Sequence, residues 1–445
     1  MTAPHALMEA LRPLSPYERL FWAIDRVNGF NFSIAVTFRG AISHADWIDA
    51  FAQVQKRHPL LSACVGYLNL DGLDDPHAPV FMRTASRPIP LNFRQRTGPA
   101  EWQRVMEAEQ AKLFDPSIAP FLRATLLEDG EGCDLVVTAN HVVLDGVGAV
   151  AFVGDLLAAL AGETLPVLPV ALSAEERIAL SGTAVTQSDK TSQAHGSWQH
   201  TIDALPAKTF TRHIGTSAPT IDALRFSAKQ TAQMLGCSHR EQATVGSLLI
   251  AAVASALQTL SPPLRNADIR MNVPIDARPY LDNAADFVLS IIGARCVAHY
   301  PTKCLWESAR AIRSQLAPWQ SFVEIESTFN RMRPMMAMNL DSAALIDTVG
   351  SKFGHDVILT NLKHVHFPLL PDGLTVEAVW GPSVLMGYAG EHTVGATTFD
   401  GALHLLYTSH SPVAGLLEKV QKTIAAACAE ARVFSRPAAV EEVAA

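Results

Sequence analysis

No run of basic residues, no C-x-x-C pair and no long uninterrupted apolar stretch occurs in this sequence, and each absence removes a class of function. A nucleic-acid partner demands a concentrated Lys/Arg field, whereas this chain has 35 Lys+Arg against 43 Asp+Glu and a formal net charge of -8. The six cysteines (Cys64, Cys133, Cys237, Cys296, Cys304, Cys428) are scattered, so they read as reduced core thiols and not as a disulfide framework or a zinc site. The stretch Met1–Pro16 has a helical look but no basic start followed by an apolar run, so no secretory signal is expected. The most apolar helix candidates, Gly146–Gly162 and Thr244–Leu260, are too short or too interrupted to span a bilayer, and a cytoplasmic location is the expectation. No G-x-S-x-G is present, which argues against a covalent acyl-serine enzyme, and no G-x-G-x-x-G or P-loop follows a strand, so no nucleotide cofactor is expected.

What remains is an ordinary globular composition, 49% hydrophobic and 18% charged over 445 residues, long enough for two cores. Residues 1–165 alternate strand and helix signals. Phe32–Arg39, Leu122–Leu127 and Cys133–Ala139 read as strands; Ala45–Arg57, Ala100–Phe114 and Gly148–Ala161 have helical spacing. Residues 166–219 turn rich in Ala, Ser, Thr, Gln and Pro and read as a crossover linker with one helical piece at Ser173–Leu180. Alternation resumes in 220–445, with strands expected at Leu224–Ser227, Ile269–Val273, Val288–His299, Val357–Thr360, Leu374–Trp380, His392–Phe399 and Leu403–Thr408. Helices are expected at Thr244–Leu260, Lys303–Leu316 and from near Val413. The predicted class is mixed α/β in two halves.

The segment Asn140-His141-Val142-Val143-Leu144-Asp145-Gly146 carries the strongest chemical signal. A histidine leaving the end of a buried strand sits where a ligand can reach it. Its ordinary pKa lets it take a proton from a hydroxyl or amine and return it to a leaving group. Asp145 lies just past the turn, and Gly146 supplies backbone freedom there. Taken alone, so short a pattern also fits a structural histidine.

Four further segments sit in matching order. Ser15-Pro16-Tyr17-Glu18-Arg19-Leu20-Phe21-Trp22 resembles the opening motif of the condensation domains of nonribosomal peptide synthetases, and Arg57-His58-Pro59-Leu60-Leu61 their second. Phe114-Asp115-Pro116 through Pro120-Phe121-Leu122-Arg123-Ala124 is similar to the segment that leads into the core strand. Asn140–Gly146 matches the H-H-x-x-x-D-G signature, with Asp155-Leu156 following, and Asn272-Val273-Pro274-Ile275-Asp276-Ala277-Arg278-Pro279 resembles an arginine-bearing strand end. The wider group includes chloramphenicol acetyltransferase, polyketide-associated acyltransferases, wax-ester synthases and plant hydroxycinnamoyl transferases. Where the signature has its first histidine this chain has Asn140; the histidine that acts as base in the family is present as His141.

The resemblance implies two chloramphenicol acetyltransferase-like subdomains in a V-shaped pseudodimer, with His141 as general base in a tunnel between them. It implies an Asp145–Arg278 salt bridge holding the loop; alternatively Arg278 is an exposed strand-end residue or a contact for a substrate carboxylate. Asn140 and Gly146 would support the loop. Thr360-Asn361 would help stabilise an oxyanion, or else simply end a strand. Trp380-Gly381-Pro382 resembles the late W-G-x-P part of the plant enzymes' D-F-G-W-G motif and reads as turn or crossover support.

The expected activity is transfer of an acyl group from a carrier-protein phosphopantetheine thioester or acyl-coenzyme A to an alcohol. A free-standing condensation enzyme forming an amide is the alternative, and a non-catalytic carrier-binding scaffold is the reading of another class. The expected partners are an acyl carrier protein or acyl-coenzyme A donor and a small alcohol or amine, with no cofactor and no metal. His364 and His366 share one face of an extended segment but lack a third ligand, and Arg310, Arg313, Arg331 and Arg333 read as solvated helix faces before a carrier-docking patch.

Overall fold

A computed structural model of the chain describes residues 9–67, 79–83, 87–181, 208–210, 217–281, 287–300 and 304–433. Among these, two large sheets and one small one are flanked by helices. Nine-residue strands β2 (Asn31–Arg39) and β7 (Gly132–Asn140) pair antiparallel through their whole lengths at the centre of the first sheet. β7 is buried on both faces, which is why it reads as a continuous apolar run. β6 (Leu122–Glu128) and β5 (Leu91–Gln95) extend the sheet on one side. The other side is closed by β12 (Thr375–Val384), a strand from far along the chain that pairs antiparallel with β2.

The second large sheet runs β10 (Ile291–Ala298), β9 (Ile269–Asp276), β11 (Val357–His364), β13 (His392–Phe399), β14 (Ala402–Ser409), β8 (Thr220–Arg225). β12 is tied to this sheet as well: Thr397 donates to the Gly381 carbonyl at 2.8 Å and Thr408 to Ser383 at 2.9 Å. The second half of the sequence therefore crosses over and completes the sheet of the first half. Trp380-Gly381-Pro382 is not a turn but an irregular stretch within β12, where the register with β2 shifts between Trp380 and Ser383. Trp380 stacks on Trp102 of α3 (Glu101–Gln110) with ring centroids 5.2 Å apart. Helices α2 (His44–Arg57), α8 (Leu305–Leu316) and α11 (Leu416–Val433) form close to where the sequence places them.

Several expected boundaries move for visible reasons. The helical look of Met1–Pro16 fails over its described part, where Glu9–Pro13 forms strand β1 against β4 (Pro79–Arg83) beside β3 (Ala63–Tyr67). The helix starts instead at Pro16: α1 (Pro16–Asn28) opens on a capping box between Ser15 and Glu18, and Arg12 grips the Glu18 carboxylate with two bonds of 2.7 Å. α3 stops at Gln110, short of Phe114, because Arg123 takes the carbonyls of Glu109 (3.0 Å) and Lys112 (2.7 Å), and Asn31 also takes that of Lys112. The strand expected at Leu224–Ser227 lies earlier, since Ser227 caps the helix α6 (Ala228–Arg240). Within residues 166–219, α5 (Ala174–Ser181) is described, and most of the remainder lies outside the described residues. Among the described residues no single helix is long and apolar enough to cross a membrane, and all six cysteines are unbridged.

Candidate active site

β7 delivers His141 to the seam between the two large sheets. Its last residue, Asn140, donates its amide to Phe121 at 2.9 Å, and His141 donates its own to Phe30 at 2.8 Å, so the strand end is held from both sides. The Asn140 side chain accepts from the Val142 amide at 3.0 Å and fixes the turn that follows. Helix α4 (Gly146–Leu160) then begins with Asp145 as its N-cap, accepting from the Gly148 amide at 2.9 Å. The helix buries Ala149, Phe152, Val153, Leu156 and Leu157, so the loop is backed by solid packing.

Asp145 is completely buried and its carboxylate is saturated. Arg278 donates to both oxygens, at 2.9 and 3.0 Å, and the Ser290 amide donates to Oδ2 at 2.9 Å. Arg278 also bonds the Val288 carbonyl (3.0 Å) and Asp276 (3.1 Å). Burial alone would lower the Arg278 pKa, but Asp145 and Asp276 outweigh it and push it up. The ion pair expected between these two residues is thus present, and none of its bonds involves the histidine ring.

The His141 ring sits in a cage of aromatic side chains, with ring centroids 4.7 Å from Phe32, 4.8 Å from Phe30 and 5.0 Å from Phe21. Only 7% of the residue is exposed, and burial pushes its pKa down to about 4, with the Asp145 charge pulling the other way. The imidazole is therefore neutral at neutral pH, the form that accepts a proton.

Two cavities meet at this ring. The larger, of about 510 Å³, lies between β9, β11 and the N-terminus of α7 (Val245–Leu260), and Thr360 and Asn361 stand on its wall. The smaller, of about 110 Å³, opens toward α1. His141, Pro274, Ile291 and Val384 line both. A reacting group in either cavity thus meets the same imidazole.

Other segments singled out in the sequence brace this arrangement. His58 bonds Asp155 at 2.7 Å, Arg57 pairs with the same carboxylate at 2.9 Å, and the His58 ring stacks on Phe287 at 3.5 Å. Phe287 in turn presents its carbonyl to Gly148, where a Cβ would come within 2.7 Å of it. A Cβ on Gly146 would meet Pro382 at 2.7 Å and Leu362 at 3.0 Å, so close approach explains that glycine. Among the described residues no group of three His, Cys, Asp or Glu side chains could hold a metal ion. The sequence reading missed the phenylalanine cage, the Ser290 amide and the Val384 wall. Phe30 and Phe32 flank Asn31, which faces Asn140 across the ladder, a register that periodicity does not show.

No family model matches the sequence. The chain is 27% identical over 169 residues to the hybrid PKS-NRPS synthetase mpsA of Macrophomina phaseolina, a match covering 37% of this chain and 4% of that protein. It is 28% identical over 153 residues to a linear gramicidin synthase protein of Brevibacillus parabrevis, covering 32% of this chain and 2% of that one. It is 35% identical over 101 residues to nonribosomal peptide synthetase 7 of Aspergillus fumigatus, covering 22% and 4%. The matches thus span only a few per cent of these relatives' lengths.

Solved structures match nearly the whole chain. The first condensation domain of the CDA synthetase superposes with a TM-score of 0.68 at 14% identity, covering 94% of this chain and 96% of that one. Trichothecene 15-O-acetyltransferase from Fusarium sporotrichioides gives 0.67 at 14% identity, covering 96% of each. Polyketide synthase associated protein 5 from Mycobacterium tuberculosis gives 0.61 at 17% identity, covering 95% of this chain and all of that one. The fold is therefore the one shared by that condensation domain, the trichothecene acetyltransferase and the polyketide synthase associated protein, built from two chloramphenicol acetyltransferase-like halves.

Proposed function

We propose that the protein is an acyltransferase that moves an acyl group from a thioester donor to an alcohol, with His141 as general base. The observation that carries this reading is the meeting of two cavities at one neutral, buried imidazole. Donor and acceptor enter from opposite sides, so the loss of freedom in bringing them together is met by binding. His141 takes the proton from the acceptor hydroxyl as its oxygen attacks the thioester carbonyl. The tetrahedral intermediate collapses, the carbon–sulfur bond breaks, and His141 returns the proton to the departing thiolate. Thr360 and Asn361, on the wall of the larger cavity, are the polar groups we assign to the developing oxyanion. Asp145 does not touch the reacting atoms in this scheme. It keeps the loop in place through Arg278 while Asn140 and Gly146 shape the turn.

The donor is a carrier-protein phosphopantetheine or coenzyme A thioester, in line with the polyketide and nonribosomal peptide setting of the relatives' names. An amine acceptor would use the same base, so product analysis separates ester from amide. Wild-type and His141→Ala protein are incubated with acyl-coenzyme A and acyl-carrier donors plus mixed alcohols and amines, and products are read by mass spectrometry. Product from the wild type alone supports the base assignment and names the bond. Equal product from both proteins, or a variant that still captures carrier protein while the wild type makes nothing, moves the reading to a scaffold.

A further inference from the structure

The smaller cavity differs from the larger in chemistry as well as size. Leu20 and Phe21 of α1, Ile292 of β10, Met332 of α9 (Phe322–Met336) and Val349 of α10 (Ser342–Phe353) supply an apolar wall that Met386 completes. Its volume of about 110 Å³ leaves room for about four methylene-sized groups. Asn272 Oδ1, buried without a hydrogen-bond partner among the described residues, offers one acceptor on this wall. The four residues that line both cavities mark the junction, and Met332 and Val349 belong to the smaller cavity alone. A flexible thioether and a β-branched side chain on two separate helices can set its length without touching the imidazole.

We infer that this cavity is a measuring pocket for a short unbranched hydrocarbon group, of about four carbons, carried by one of the two substrates. The size limit follows from volume, and the apolar preference from a lining that is mainly hydrocarbon, with Arg295 and Thr328 among its polar members: each methylene taken up contributes about fourfold in affinity. The inference rests on the acyl-transfer reading only for the bond that is made; occupancy of the pocket is a separate matter.

The test begins with binding. Protein carrying ¹³C-methyl methionine is titrated with S-butanoyl-pantetheine, with 1-butanol and with pantetheine alone. Met332 and Met386 signals should move with a butyl ligand and not with pantetheine, while Met82, which lies in the small sheet, stays put. A shift with the thioester assigns the pocket to the acyl group, and one with the alcohol assigns it to the acceptor. Either supports the inference. No shift with either, or an equal shift with pantetheine, overturns it. In turnover, Met332→Ala should move the preferred chain longer by one or two carbons and Val349→Phe shorter, changing relative kcat/KM by about fourfold per methylene. An unchanged length profile in both variants, with His141-dependent turnover intact, would defeat the pocket and leave the transfer reading standing. Failure of all turnover with the methyl shifts present would do the reverse.

Discussion

Asp145 and Arg278 lie 133 residues apart in sequence and meet through two near-parallel hydrogen bonds, with Asp145 wholly buried. The pair joins the loop after β7 to the end of β9, so it fixes the two halves against each other at the point where the cavities meet. Removing Arg278 strands a buried carboxylate that keeps only the Ser290 and Gly148 amides. Arg278→Ala should therefore lower unfolding stability by about 3–5 kcal/mol, and Arg278→Lys, which loses the fork, by less. Asp145→Asn combined with Arg278→Gln should recover part of the loss. Denaturant unfolding reads this directly, and an Arg278→Ala variant within about 1 kcal/mol of wild type would show that the pair does not hold the seam.

The depressed pKa of His141 makes a kinetic prediction. A histidine in water would begin to protonate below pH 6.5, but burial holds this one neutral down to about 4. The acid limb of kcat/KM should therefore fall well below pH 6, and His141→Ala should lack the limb with its turnover. An acid limb centred at 6.5 would mean that the working imidazole is hydrated, contrary to its phenylalanine cage.

Much of the site was legible because its parts are local. Strand, turn and helix around His141 follow from an apolar β-rich run, a glycine after Asp145 and a second apolar run with helical length. The Asp145–Arg278 pairing came from family resemblance, since nothing in the spacing of two residues so far apart brings them together. What stayed hidden is long-range. β12 completes the sheet of the first half by pairing with β2, and a strand carries no mark of the sheet it joins. The stretch 322–353 was foreseen only as a solvated helix face at Arg331 and Arg333, not as helices that wall the smaller cavity. The β1 error has the same origin, for Glu9–Pro13 is a strand only because β4 is beside it.

Two glycines near the site should respond differently to alanine. At Gly148 the added Cβ would lie 2.7 Å from the Phe287 carbonyl, and Phe287 is pinned by its stack on His58. At Gly146 it would meet side-chain atoms of Pro382 and Leu362, both on the wall of the larger cavity. Gly148→Ala should thus cost stability, about 1–3 kcal/mol, while Gly146→Ala should cost less stability and more turnover. Thermal unfolding and steady-state rates on both variants check the split; matching losses in both readouts would remove it.

Stability itself should depend on pH through buried histidines. His141, His392 and His404 are each pushed down to about 4, in every case chiefly by burial. A histidine that resists protonation when folded but accepts a proton at 6.5 when unfolded favours the unfolded chain as pH falls. The stability associated with its neutral form is complete above pH 6.5 and is lost as pH drops toward 4. Glu175 acts in the opposite sense. Burial and then Glu18 raise it to about 7, so its contribution is complete below 4.5 and is lost as pH rises through 7. Three histidines against one glutamate give a net loss of stability between pH 6.5 and 4.5. His404 is fully buried with its ring edge-on to Trp380, and it lines neither cavity of the site. His404→Leu should accordingly flatten the dependence of unfolding temperature on pH across that interval, leaving the pH profile of turnover in place. An unchanged slope would mean that His404 is already protonated in the folded chain, or reaches water in a way its packing does not show.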